Sequence, residues 1–233
     1  FEERLKAILK EIEAAAGPLP RLLERGDLAG FLHCHTTWSD GTNSVEELAL
    51  ACRDAGYSYV GLTDHSRAAA YAGGLTPEDL ARQADEIDAV NARITGIRVL
   101  KGIEADILAD GELDYDESVL SRLEFVIGSI HSRFGLTRDE MTKRMLTAMD
   151  DPYLSIIGHP TGRLLLSRDP YPLDLQAVFA KAAATGVAIE INARYKLPSE
   201  KFIRKAKAAG AKFSFGTNNG DRDLGDLAYS RQM

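Results

Sequence analysis

Four short hydrophobic runs in this chain of 233 residues end in histidine, and together they hold all five of its histidines. They are Gly30-Phe31-Leu32-His33-Cys34-His35, Tyr59-Val60-Gly61-Leu62-Thr63-Asp64-His65, Phe125-Val126-Ile127-Gly128-Ser129-Ile130-His131 and Leu154-Ser155-Ile156-Ile157-Gly158-His159. A fifth run, Ile97-Arg98-Val99-Leu100-Lys101-Gly102-Ile103-Glu104, ends in a carboxylate. Each reads as a β-strand. Strands that alternate with helices turn their C-terminal ends toward one rim of a barrel or sheet. Such a rim collects five imidazoles and several carboxylates, the donor set of a multinuclear metal site.

The rest of the chain supplies the alternation. Strands are predicted over 30–34, 58–63, 97–103, 124–130, 154–158, 187–191 and 212–216, and helices over 44–56, 77–93, 137–149, 173–185 and 199–209. Ser44 with Glu47 and Thr76 with Asp79 are spaced as capping boxes, while Gly56, Gly186 and Gly210 stand where helices end. Seven strands with helical connections predict an α/β fold, a parallel (β/α)7 barrel slightly smaller than the eight-fold form. Ahead of it, Leu5, Ile8, Leu9 and Ile12 make a helical stripe over residues 2–16, which Gly17-Pro18-Leu19-Pro20 ends. The predicted organisation is an N-terminal helix and linker over 1–27 and one α/β domain over 28–233.

Composition narrows the functions open to such a fold. A net charge of −7 argues against an extended nucleic-acid surface, which is basic as a rule. It still permits a small phosphorylated substrate, because bound cations reverse the local field. Cys34 and Cys52 are the only cysteines, which gives no disulfide framework and fits a reducing cytoplasm. No apolar run approaches membrane-spanning length and no signal peptide is visible. A start at Phe1 and an end at Met233 read as trimming.

His33 and His35 stand two apart on a strand, so both point to one side and form a bidentate clamp, while Cys34 points away as a small buried residue. Asp40, in Trp38-Ser39-Asp40-Gly41, would by itself be an ordinary turn aspartate; its place beside the histidine pair makes it a ligand candidate. In Thr63-Asp64-His65 neighbours face opposite ways, which selects His65 as ligand and gives Asp64 a supporting role, such as orienting a ligand. Glu104, with Asp106 and Asp110 near it, is the candidate bridging carboxylate. His131 and His159 lead into Ser132-Arg133 and Pro160-Thr161-Gly162-Arg163, whose arginines are candidates for binding phosphate oxygens.

These residues lie in an ordered set of motifs over 28–220: His33-Cys34-His35-Thr36-Thr37-Trp38-Ser39-Asp40-Gly41, Leu62-Thr63-Asp64-His65-Ser66, Lys101-Gly102-Ile103-Glu104-Ala105-Asp106-Ile107-Leu108, Ser129-Ile130-His131-Ser132 and Gly158-His159-Pro160-Thr161-Gly162-Arg163-Leu164-Leu165. The set resembles the PHP family, named for polymerase and histidinol phosphatase, and above all the C-terminal PHP domain of bacterial family X DNA polymerases and its free-standing relatives. The resemblance implies a distorted, TIM-like (β/α)7 barrel that binds two or three divalent ions (zinc, manganese or iron) and hydrolyses phosphoesters with a metal-activated water. It makes His33, His35, Asp40, His65, Glu104, His131 and His159 metal ligands, with Glu104 bridging. With Arg163 as the phosphate-binding candidate, Glu104, His131 and Arg163 are the expected catalytic residues. The implied substrate is a nucleic-acid 3′ end or a small phosphate monoester such as histidinol phosphate. No polymerase module fits in the first 27 residues.

One motif departs from the family pattern. Where the family carries Asp-x-His after a threonine or serine, this chain has Thr217-Asn218-Asn219-Gly220. Asn218 offers a neutral amide oxygen as a weaker metal ligand, and Gly220 offers none to the third ion. That departure supports a rival expectation, a catalytically weak metal-binding PHP module with a structural or partner-binding role. A metal-dependent amidohydrolase would want a bridging lysine at a strand end, whereas Lys101 lies three residues before the carboxylate.

Overall fold

Seven parallel strands close into a barrel in sequence order, each beside the next and the last beside the first, in the computed structural model of the chain, which describes residues 24–164 and 166–219. The strands are β1 (Gly30–Cys34), β2 (Tyr59–Leu62), β3 (Arg98–Asp106), β4 (Phe125–Ser129), β5 (Leu154–Ile157), β6 (Ala188–Asn192) and β7 (Phe213–Asn219). The helices are α1 (Val45–Asp54), α2 (Pro77–Arg93), α3 (Glu117–Leu120), α4 (Arg138–Ala148), α5 (Leu175–Thr185) and α6 (Glu200–Ala208). Each predicted strand and helix of the barrel is present; β3 runs on to Asp106 and β7 to Asn219, and the single-turn α3 was not predicted. The helix expected over 2–16 and the position of Gly220 lie outside the described residues.

Local chemistry sets the helix starts. Ser44 and Glu47 close a capping box at α1, Thr76 and Asp79 close one at α2 with Pro77 behind the cap, and Thr137 with Glu140 adds a third at α4. Outward residues of the strands meet the apolar faces of the helices. Val60, Leu62 and Val99 pack with Leu48 and Cys52 of α1 and Ile87 and Val90 of α2. On the other side, Ile103 and Val126 join the cluster containing Met141 and Met145 of α4 and Val178 of α5. Each fully buried aliphatic side chain stabilises the fold by about 1.5–3 kcal/mol over its exposed state.

The inside of the barrel is divided into two halves. Toward the N-terminal ends of the strands, Phe125, Ile127 and Ile156 pack with Leu32, Leu100 and Ala188. The Phe125 ring fills the width: a Cβ at Gly61 or at Gly102 would stand 2.5 Å from its Cζ. Toward the C-terminal ends the filling is polar, with His33, Glu104, Ser129, Glu190 and Asn192 all buried. Glycines again make the space: a Cβ at Gly158 would strike the Ser129 hydroxyl, and one at Gly216 the Glu190 carboxylate.

Candidate metal centre

The five imidazoles form a closed ring above this polar layer. Neighbouring ring centroids lie 5.3 Å apart for His33–His35, 4.5 Å for His35–His65, 5.3 Å for His65–His131, 5.2 Å for His131–His159 and 5.7 Å for His159–His33. His33 reaches the ring by way of a bulge. Its backbone takes a left-handed φ of 71°, and the register of β1 shifts against both β2 and β7 at this point. Phe31 and Cys34 therefore pack into the outer core, while Leu32 packs inside the barrel and His33 turns in beside it. His33 and His35 share a side as expected, with a bulge in place of plain alternation.

Glu104 stands in the middle of the ring and divides it between its two oxygens. Oε1 lies 3.1 Å from His33 Nε2, 3.4 Å from His131 Nε2 and 2.8 Å from His159 Nε2. Oε2 lies 3.6 Å from His35 Nε2 and 3.1 Å from His65 Nδ1. Asp40, on the half-exposed rim, lies 3.4 Å from His35 Nδ1 and 3.7 Å from His65 Nε2. Three sets of donors converge closely enough to hold an ion each: His33, His35 and Glu104; His65, Glu104 and His131; and His35, Asp40 and His65. His159 joins the second set through Glu104 and through its Nε2, 3.3 Å from that of His131.

The donor atoms point at one another without satisfying one another. His33 Nε2, both ring nitrogens of His35, His65 Nδ1 and Glu104 Oε2 are buried and lack a hydrogen-bond partner. Buried polar groups are almost always paired, so a convergent set of unpaired nitrogens and a carboxylate oxygen fits divalent cations. With no thiolate among them, these donors suit zinc, manganese or iron.

Residues behind the ring fix it. The Glu190 carboxylate, from β6, lies 2.5 Å from His33 Nδ1 and accepts from the His159 backbone N–H at 2.5 Å and the Asn192 amide at 3.0 Å. Asp106 Oδ1 lies 2.6 Å from His131 Nδ1, and the Ser129 hydroxyl donates to Glu104 at 2.6 Å. Burial opposes a proton on His33, but Glu190 and Glu104 outweigh it and raise its pKa to about 10; Glu104 and Asp106 likewise bring the buried His131 to about 10. His35 is buried close to two other imidazoles and falls to about 3, a neutral ring. Against its own burial, Glu104 is held well below the carboxylate range by His33 and His131. The carboxylates of the centre thus favour positive charge on the rings beside them.

Asp64 does support the site, but by a route other than orienting an imidazole. Fully buried, it accepts from the Thr36 N–H and hydroxyl, the Ser39 N–H and hydroxyl, and the Gln83 amide at 2.6–3.1 Å. Ser39 Oγ in turn accepts the His65 N–H at 3.3 Å. Asp64 thus holds the loop that carries Asp40 against the strand end that carries His65. Cys34 is buried as expected, 3.2 Å from the Thr217 hydroxyl.

A cavity of about 230 Å³ opens over the ring, lined by Asp40, His65, His131, His159, Asn218 and Arg163 among others. Arg133, the second predicted arginine, is exposed with a left-handed φ of 55° and does not line it. Arg168 and Arg194 do. Arg168 lies 3.8 Å over the Phe134 ring and donates to the Gly162 carbonyl, and Arg194 donates to the Asn218 carbonyl at 2.9 Å. Glu190, Arg168 and Arg194 escaped the sequence reading. For Glu190 a signal existed, an acid between two isoleucines in Ala188-Ile189-Glu190-Ile191-Asn192; for the arginines none did.

Comparison with known proteins follows the same outline. The PHP domain family matches residues 32–194. The DNA polymerase/3′-5′ exonuclease PolX of Bacillus subtilis (strain 168) is 43% identical over 212 residues, which make up 90% of this chain and 37% of that protein. A protein named probable phosphatase from Thermoanaerobacter sp. (strain X514) is 30% identical over 199 residues, 80% of this chain and 76% of its own length. The chain thus spans little more than a third of the polymerase relative. Among solved structures, histidinol phosphate phosphatase from Lactococcus lactis subsp. lactis, complexed with zinc, L-histidinol and phosphate, shares the fold with a TM-score of 0.57 at 16% identity, over 88% of this chain and 91% of that one. The family match begins inside β1 and runs past the end of β6, across the whole of the ring described above, and this chain belongs to the PHP domain family.

Proposed function

We propose that this chain is a metal-dependent phosphoesterase that hydrolyses a phosphate mono- or diester, with two or three divalent ions (zinc, manganese or iron) held by His33, His35, Asp40, His65, Glu104, His131, His159 and Asn218. The observation that carries the reading is Glu104, whose two oxygens face two separate groups of imidazoles as a bridging carboxylate does. Ions held by these residues would lower the pKa of a bound water toward neutrality and so supply the nucleophile. Glu190 and Asp106 keep the protons of His33 and His131 on Nδ1 and leave each Nε2 free to ligate. Arg163, with its Nε buried and unpaired, offers a guanidinium to phosphoryl oxygens.

The substrate is a nucleic-acid 3′ end or a small phosphate monoester; the polymerase relative and the phosphatase relatives point one to each. The catalytic domain of this reading is 28–233, and its buried free thiols, Cys34 and Cys52, suit a reducing cytoplasm. The test is metal analysis of gently purified protein together with turnover of a panel of mono- and diesters. At least two ions are expected, with hydrolysis that falls about tenfold or more in Arg163→Lys while metal content stays. A protein loaded with two ions that cleaves no ester would instead support the metal-binding module, the reading that the neutral Asn218 favours.

A further inference from the structure

Basic side chains gather on one flank of the cavity. Arg163 and Leu197 line the cavity on one side and a second groove of about 420 Å³ on the other. Tyr171, Leu173 and Phe202 give this groove an apolar floor, and Lys201 and Lys205 stand on its wall. Among the described residues no carboxylate lines it, although the chain as a whole has 35 acidic against 28 basic side chains. The two lysines are four residues apart on α6, hence on one face, and exposed. Neither is ion-paired among the described residues, whereas Arg204 on the same helix pairs with Glu200. Ser199, at the N-cap of α6, also lines the groove and makes no capping bond with its side chain.

We propose that this groove holds the sugar-phosphate backbone of a substrate strand beyond the phosphate that reacts at the metal centre, so that the substrate is an oligonucleotide end in preference to a lone monoester. The inference rests on the phosphoesterase reading above. A monoester would leave the groove without an occupant, while a second phosphate meets two ammonium groups with no competing carboxylate among the described residues. Lysines on a helix face follow a backbone without reading its sequence. Three cations suit a strand end and are too few for a long duplex, in keeping with the chain's net charge of −7.

The experiment measures binding of a short fluorescent single-stranded oligonucleotide with phosphorothioate linkages, by anisotropy against salt, to the metal-loaded protein and to its Lys201→Glu/Lys205→Glu variant. The same pair of proteins is then compared for the ratio of kcat/KM on an oligonucleotide to that on bis(p-nitrophenyl) phosphate. The variant should bind at least tenfold more weakly, its slope of log affinity against log salt should shrink by about 1.4, and the ratio should fall. Lys201→Gln/Lys205→Gln serves the same comparison if the charge reversal disturbs folding. Equal binding by variant and parent overturns the proposal, as does an acidic peptide that competes as well as the oligonucleotide, which would give the groove to a protein partner. Failure of the metal-loaded parent to cleave either ester would sink the phosphoesterase reading, while the binding arm still decides the groove.

Discussion

Replacing Glu190 with glutamine preserves the size of the side chain and should nevertheless weaken metal binding by one to two orders of magnitude. Three donors meet the carboxylate: the His33 ring at Nδ1 on one oxygen, and the His159 N–H with the Asn192 amide on the other. Glutamine keeps one acceptor oxygen and turns the other position into a donor. The pair of donors from His159 and Asn192 claims the oxygen, so the NH₂ group faces His33 Nδ1. That contact is tolerable only if the ring moves its proton to Nε2, the atom that must ligate. A buried hydrogen bond to a charged group contributes about 1.5–3 kcal/mol, which is roughly 10- to 100-fold in an equilibrium constant. The same range describes losses on removing groups that orient metal-bound histidines. Competition against a chromogenic chelator measures it directly, with the thermal midpoint of the metal-loaded protein as a check on folding. If Glu190→Gln holds metal within about twofold of the parent, the tautomer argument is wrong.

Other expectations follow from the same geometry. Asp64→Ala strands five donors on Thr36, Ser39 and Gln83 and should cost about 3 kcal/mol, read as a fall in Tm of roughly 6–12 °C together with weaker retention of the ion near Asp40; an unchanged midpoint would refute it. His33 and His131, each raised from 6.5 to about 10, carry protons at neutral pH until an ion displaces them, so titration calorimetry in buffers of different ionisation enthalpy should show proton release and an affinity that climbs with pH. In the metal-free protein the stability from these two raised pKa values is complete below 6.5 and is lost as pH rises through about 10; alkaline destabilisation that metal does not relieve would contradict this. Asn218→Asp with Gly220→His should tighten retention against a chelator and raise metal stoichiometry, and no change in either would remove the end of β7 from the site.

The barrel and most of its centre were legible because a site built on strand ends writes its ligands at the ends of hydrophobic runs. Glu104 and the five histidines could be placed on one rim from that punctuation alone. What hid was everything decided by backbone detail or by loops. The bulge at His33 has no mark in Phe31-Leu32-His33-Cys34, since it arises where β1 must pair with β2 and β7 in different registers. Arg133 stands two residues after its histidine and Arg163 four, yet only Arg163 meets the cavity, while Arg133 is exposed with a left-handed backbone. Asp64 next to His65 invited a role on the imidazole, while adjacent residues on a strand part company and it went to the loop instead.

Phe125, Gly61 and Gly102 come from three different strands but occupy what is in effect a single side-chain volume, and this ties their histories together. A methyl group at either glycine would stand 2.5 Å from the ring, a clash that core overpacking data put at about 1–3 kcal/mol. Shrinking the ring to leucine alone would leave a void. Each change is harmful by itself, and made together they offset one another only in part, since a Cβ at Gly61 still meets Leu32 Cδ2 at 2.5 Å and one at Gly102 the Leu62 carbonyl oxygen at 2.9 Å, so the order in which they arise matters. Among diverging copies of this barrel a smaller residue at position 125 should travel with alanine at 61 or 102, and swapping one strand between two such copies should fail unless its partners move with it.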